Sequence, residues 1–372
     1  MPERLPLVFA APGTYVQGPG ILATAGPHLA RFGARMFAVL DPNIFDVVEP
    51  GLAGACQSEG LGCRAERFPG ECTEKGWERL AEIARAWGPD AIIAAGGGKA
   101  LDTGKLVADA LRLPSVMVPT IASTDAPTSR VAVVYDNQHA VVRVARLRAN
   151  PALVLVDTAL VIKAPVRFLV AGMGDALSTW PEARSNAEGA ARTPVGGSQT
   201  RAALALAELS YRIVLQQGRE ARRDAEAQTL SPAFEAVVEA NTLLSGLGFE
   251  SGGLAVCHAL HAGLSAIPAC RGAMHGEKVA FGVIVQSLVE GWPEVERVEL
   301  VEFYRDWDFR RLWRALGWQP LRQKTWRGSW RSPAVPGAIS TICEGQSGRP
   351  SSSRCWKRCG ADLYNGRRTG HR

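Results

Sequence analysis

The sequence predicts an α/β amino-terminal domain with a mostly parallel sheet over residues 1–160, followed by an all-helical carboxy-terminal domain over residues 161–305. Three observations predict it. Short apolar runs alternate with helix-period segments as far as about residue 160. Three consecutive glycines, Gly96 to Gly98, stand between one such run and the helix that follows. Beyond residue 160 only helical periodicity continues.

The elements justify this reading in turn. Apolar Ile21, Leu22, Ala25 and Leu29 recur at helical spacing and predict a helix over 20–34. The run 35–40 is a strand that ends at Asp41, because Pro42 and Asn43 break it. Leu80, Ile83, Ala84 and Trp87 share one face of a helix over 77–87. A buried strand over 91–95 leads through the glycines into a helix over 100–111, and Leu113-Pro114 closes that unit. A strand over 115–118 runs into the polar loop 119–129. Segments 132–136 and 141–144 form a hairpin around Asn137-Gln138, and 153–156 is a further buried strand ending at Asp157. Helices follow over 168–183, 199–217, 232–247 and 252–262, then an apolar stretch over 279–289.

With 372 residues, 47% apolar and 21% charged, the chain can bury more than one core. It has no run of eighteen apolar residues that would suggest a membrane span. Its start lacks the basic region and cleavage pattern of a secretory signal, so a cytoplasmic protein with eight unpaired cysteines is expected. The net charge of +6 is uneven: residues 306–372 carry 14 Lys and Arg against 4 Asp and Glu, the remainder 28 against 32. The body therefore offers no electrostatic footprint for nucleic acid. Composition and periodicity switch together near residue 306. This Trp- and Arg-rich tail reads either as a change of reading frame or as a disordered basic appendage that could bind nucleic acid or a charged surface.

Two patterns carry chemistry. In an α/β sheet, ligands bind beyond the carboxyl ends of the strands. Asp41, Gly96–Gly98 and the loop from Thr120 to Asp125 all fall there. Glycines at a helix start let a diphosphate approach free backbone N–H groups, although a glycine triplet can also be a plain tight turn. The second pattern is a histidine cluster. Of six histidines, His258, His261 and His275 lie close together, with Asp175 upstream between glycines. One Asp and two His form a ligand set for a zinc-type cation that leaves a coordination position open; two ordinary buried histidines and a capping aspartate fit the same spacing.

Five blocks in order carry a family resemblance: Gly96–Thr103, Pro119–Ser129, Phe168–Trp180, Gly248–Leu254 and His275–Gly282. Over roughly residues 5–305 the chain resembles the glycerol dehydrogenases of the iron-containing alcohol dehydrogenase family, whose glycerol enzymes normally use zinc. The resemblance implies a Rossmann-like sheet domain and a helical domain, an architecture shared with dehydroquinate synthase. It implies NAD-dependent oxidation of glycerol to dihydroxyacetone by a homo-oligomer, as an octamer, with one zinc per subunit. Residue by residue, it implies Asp175, His258 and His275 as metal ligands. Gly96, Gly97 and Gly98 match the diphosphate turn and Asp41 the carboxylate on the adenosine ribose. Thr120, Thr124, Ser129, Val131 and Val133 match the nicotinamide side, and Asp125 matches the carboxylate near the substrate hydroxyls. The metal ligands also touch substrate in this picture, whereas His261 lines the cleft without being a ligand.

Three positions depart from the family pattern. Arg130 stands where a small or apolar residue is usual, Pro181 follows Trp180 inside a helix, and the stretch from His258 to His275 is a residue short. A different small alcohol, or glycerol phosphate held by Lys163 and Arg167, is the alternative substrate; a product of a shifted frame would be inactive.

Overall fold

The computed structural model describes residues 5–270, 272–305 and 307. Its first half is built on six parallel strands: β1 (Tyr15–Gly18), β2 (Arg35–Leu40), β3 (Gly62–Arg67), β4 (Ala91–Gly96), β5 (Ser115–Pro119) and, after an antiparallel hairpin of β6 (Val131–Tyr135) and β7 (Val141–Arg146), β8 (Leu153–Asp157). The sheet order is β1-β8-β5-β4-β2-β3. Strand alternation divides β2 between two cores. Met36, Ala38 and Leu40 enter one with Ile93 and Val116, while Phe37 and Val39 enter the other with Ile92, Ala84 and Val107. Both faces are therefore covered, as expected of a parallel sheet.

The crossovers are helical. A short turn α1 (Gly26–Leu29) precedes β2, α2 (Phe45–Ser58) joins β2 to β3, α3 (Glu74–Trp87) joins β3 to β4, and α4 (Gly98–Leu111) joins β4 to β5. Thr73 caps α3 by accepting from the Gly76 N–H at 3.1 Å, and Gly88 ends it in the left-handed region at φ 69°. Chain direction reverses between β2 and β4: from β2 the chain steps outward to β3, then returns to β4 on the other side. The carboxyl ends of those two strands, at Asp41 and Gly96, thus frame the crevice where such sheets take ligands.

After α5 (Thr158–Val161), the second half is helical: α6 (Val166–Glu188), α7 (Arg201–Glu226), α8 (Pro232–Glu239), a π-helical turn over Ala240–Leu244, α9 (Ser245–Gly252), α10 (Val256–Ala266), α11 (His275–Val289) and α12 (Glu294–Arg305). One apolar core joins them, from Met173 and Leu177 through Val214, Phe234 and Val283 to Phe303, Tyr304 and Trp307. Among the described residues no single helix is long and apolar enough to cross a membrane. The described cysteines, Cys56, Cys63, Cys72, Cys257 and Cys270, are free.

Several expectations change. The helix expected over 20–34 is two 3-10 turns, Ile21–Thr24 and Ala30–Phe32, either side of α1. Gly26 and Pro27 prevent a continuous helix, since proline has no N–H to donate. Strands β1 and β3 and helix α2 were not foreseen. The helix expected over 168–183 is longer, Val166–Glu188, with Pro181 inside it. Helix α11 starts at His275 and runs through the expected apolar stretch to Val289. The tail expected over 306–372 lies outside the described residues except for Trp307, buried against Phe303 with 4.8 Å between ring centroids.

Candidate active site

The dinucleotide side is built at the ends of β2, β4 and β5. Gly96 has φ 146°, and a Cβ there would stand 2.8 Å from those of Asp41 and Ala100. Packing alone therefore demands that glycine. Gly97 begins α4 without a side-chain cap, so the first N–H groups of a 14-residue helix point out beyond the sheet. The Asp41 carboxylate lies beside Gly96 and accepts from the backbone and side-chain N–H groups of Asn43 at 2.9 and 3.0 Å. The Thr120 N–H donates to the Gly96 carbonyl at 3.2 Å, and Thr124 Oγ1 lies 3.4 Å from where a Gly98 Cβ would be. Asp41, Gly96–Gly98, Thr120 and Thr124 are thus brought together.

Ser129, Val131 and Val133 follow along the start of β6. A buried ion pair in α4 holds this strand: Asp102 accepts from the Val133 N–H at 2.9 Å, and Lys105 donates to the carbonyls of Val131 and Ala126 at 2.7 and 2.8 Å. Ser129 Oγ accepts from the Val131 N–H at 3.4 Å. The Arg130 N–H donates to Glu250 at 2.8 Å and its guanidinium to the Val195 carbonyl at 3.4 Å. That accommodates the arginine where a smaller residue is usual.

Backbone contact between helices assembles a second cluster. A Cβ on Gly276 would lie 1.7 Å from the Ala171 carbonyl oxygen, and one on Gly174 would lie 2.5 Å from the Gly276 oxygen. Only glycines allow α6 and α11 this approach, which sets Asp175 against His275. One ligand atom from each of Asp175, His258 and His275 lies within 4.8 Å of the others. Asp175 Oδ1 is 3.1 Å from His275 Nε2 and 3.7 Å from His258 Nε2. The spacing from His258 to His275 therefore brings both rings to Asp175. Asp175 is fully buried, and its Oδ1 has no hydrogen-bond partner among the described residues. A buried oxygen without a partner, faced by two imidazole nitrogens, is the donor set a divalent cation fits.

Asp125 joins this cluster from the sheet side. Its N–H reaches Asp175 Oδ2 at 3.4 Å, and its carboxylate accepts from Ser245 at 2.9 Å, whose hydroxyl also lies 2.7 Å from that of Thr179. Burial, reinforced by the charge of Asp175, pushes the Asp125 carboxyl well above the usual range. Burial also acts to raise Asp175, but His275 and His258 outweigh it and hold that carboxyl low. His258 is pushed up to about 9: burial opposes its protonation, and Glu182, Asp175 and Asp125 overcome that. Burial, then His275, lowers His261 well below the ordinary histidine range.

The loop carrying Asp125 is pinned to the π-helical turn. Asn241 donates to the carbonyls of Ala122 and Leu169 at 2.9 and 3.1 Å, and Thr128 donates to the Thr242 carbonyl at 3.1 Å. A Cβ on Gly172 would stand 1.9 Å from that Ala122 oxygen. Sequence reasoning missed Asn241, Ser245 and Glu182. Glu182 had a usable signal: seven residues after Asp175, it lies two turns on along the same helix face. Lys163 is exposed, and Arg167 is held by both Glu277 oxygens at 2.9 and 3.0 Å and by the Gly272 carbonyl, so neither is a ready phosphate site.

Known proteins resemble this chain over most of its length. The family model for iron-containing alcohol dehydrogenase matches residues 12–158. A glycerol dehydrogenase of Escherichia coli is 44% identical over 294 residues, 79% of this chain and 80% of that protein. A glycolaldehyde reductase of Halobacterium salinarum is 42% identical over 296 residues, 80% of this chain and 81% of that protein. The crystal structure of a probable glycerol dehydrogenase from Sinorhizobium meliloti superimposes with a TM-score of 0.81 at 36% identity, covering 96% of this chain and 94% of that one. With its parallel sheet, glycine turn and buried Asp–His–His group, the chain is an oxidoreductase of the iron-containing alcohol dehydrogenase family, on the branch that includes the glycerol dehydrogenases.

Proposed function

We propose that this chain oxidises glycerol to dihydroxyacetone, with NAD as hydride acceptor and a zinc ion held by Asp175, His258 and His275. One observation carries the reading. Thr124 touches the uncapped start of α4 while its neighbour Asp125 touches Asp175 of the Asp–His–His group, in a chain 44% identical to a glycerol dehydrogenase. When bound, the cation supplies Lewis acidity to a polyol hydroxyl and the nicotinamide takes the hydride.

The chain's own residues do the rest. The N–H groups at Gly98 and Lys99 take the diphosphate, and the Asp41 carboxylate takes the ribose hydroxyls, which disfavours a phosphorylated ribose. Thr120, Thr124, Ser129, Val131 and Val133 form the nicotinamide wall. Asp125, fixed by Ser245, orients the hydroxyls of the polyol. Zinc is proposed over iron on the family likeness alone, because two imidazoles and one carboxylate hold either cation. A cytoplasmic homo-octamer is proposed on the family likeness alone.

The test is NADH production from glycerol by the full-length chain, before and after chelation, with zinc or iron(II) restored. Zinc-dependent turnover supports the reading. Soluble, zinc-loaded protein that leaves glycerol untouched defeats it. The same protein should then be assayed with other small alcohols and with glycerol phosphate.

A further inference from the structure

A neutral imidazole has one lone-pair nitrogen, and the partner of its other nitrogen decides which one that is. Both histidines of the Asp–His–His group have such a partner behind them. His258 Nδ1 lies 2.6 Å from Glu182 Oε2. The other oxygen of Glu182 accepts from the N–H groups of Ala255 and His258 itself, at 2.8 and 3.0 Å. Glu182 is fully buried, so its carboxylate is committed to the first turn of α10 and to this one ring. His275 Nδ1 lies 3.1 Å from His261 Nε2. Ser265 Oγ is 3.3 Å from that same His261 nitrogen, but its proton goes to the His261 carbonyl at 2.8 Å, and Lys278 donates to Ser265 at 3.1 Å. The His261 Nε2 lone pair is therefore left for His275.

We propose that Glu182 and His261 are positioning residues that hold the proton on Nδ1 of His258 and His275, so that Nε2, beside Asp175 Oδ1, is the nitrogen each ring gives to a cation. The inference rests on the metal reading of the site. The two supports differ in kind. Glu182 brings a buried negative charge, which together with Asp175 balances a dication, whereas His261 brings only an acceptor. Loss of Glu182 therefore weakens cation binding more than loss of His261.

The experiment titrates zinc into the chelator-stripped full-length chain against a chromophoric competitor, and records the melting temperature of the zinc-free protein alongside. Glu182→Gln keeps an oxygen for the two backbone donors but turns an N–H toward His258 Nδ1, forcing that ring's proton onto Nε2. The zinc Kd should rise about 10–100-fold with the zinc-free melting temperature unchanged. His261→Ala should raise Kd about tenfold, and His261→Gln, whose Oε1 can accept, should recover most of it. Folded Glu182→Gln and His261→Ala proteins that bind zinc as tightly as wild type overturn the proposal. So does a loss of affinity matched by a fall in zinc-free melting temperature, which marks a merely structural role. Should Glu182→Gln fail to fold, the His261 pair decides. A wild-type chain that binds no zinc overturns the metal reading itself, and that is seen before any variant is made.

Discussion

Gly276→Ala tests whether the contact between α6 and α11 builds the site. The added Cβ would lie 1.7 Å from the Ala171 carbonyl oxygen, and that oxygen is rigid helix backbone. Relief requires the helices to part by roughly 1.3 Å, since real Cβ atoms do not approach closer than about 3.0 Å. Overpacking of this kind costs about 1–3 kcal/mol, which in a chain this size lowers the melting temperature by roughly 1–4 °C. The same shift carries His275 away from Asp175, now 3.1 Å apart. Misplacement by an ångström costs about 100-fold in turnover. The assay is thermal denaturation by circular dichroism, paired with kcat/KM for glycerol. Gly54→Ala, on an open face of α2 where a Cβ meets nothing within 4 Å, is the control and should stabilise by about 0.5–1 kcal/mol. Gly276→Ala protein with wild-type melting and kcat/KM would refute the reasoning.

Further outcomes follow from other contacts. Asn241→Ala leaves the Ala122 and Leu169 carbonyls buried without their donor and should cost about 1–3 kcal/mol in urea denaturation, with a rise in KM as the Asp125 loop loosens. Asp41→Ala should raise KM for NAD about tenfold in steady-state assays and narrow its advantage over the phosphorylated dinucleotide, leaving kcat nearly unchanged. Burial acts to raise Glu71, but Lys99 and His139 outweigh it and hold its carboxyl below the usual range. Its stabilising contribution is present above about pH 4.5 and lost as pH falls through the lower folded value. Acid denaturation of Glu71→Gln should accordingly be shallower than wild type below pH 4.5, with no difference in slope near neutrality.

How much of this was legible depended on how each segment meets its neighbours. Strand β2 could be read because all but its first residue are buried and turn residues bound it. Strand β3, Gly62–Arg67, could not: it is the sheet's edge, pairs only with β2, and carries two arginines and a glutamate. Helix α2 was hidden by Pro50, which removes a hydrogen bond that tertiary packing of Val48, Leu52 and Ala55 outweighs. Asp175, His258 and His275 stood out because histidine is scarce here. Glu182 did not, since a single glutamate within a helix reads as a solvated side chain until burial shows otherwise. The π-helical turn was illegible because one extra residue barely alters the apolar period.

That turn also constrains how the gene can vary. Restoring a regular helix by deleting one residue from Ala240–Leu244 would rotate everything after it by about 100°. Ser245 would swing off Asp125, and Asn241 and Thr242 could no longer both hold the loop before it. Substitutions at this place can be absorbed one side chain at a time, whereas a change in length cannot. The register of a single helical turn is thus an inherited measurement, kept by the number of codons as much as by what they encode.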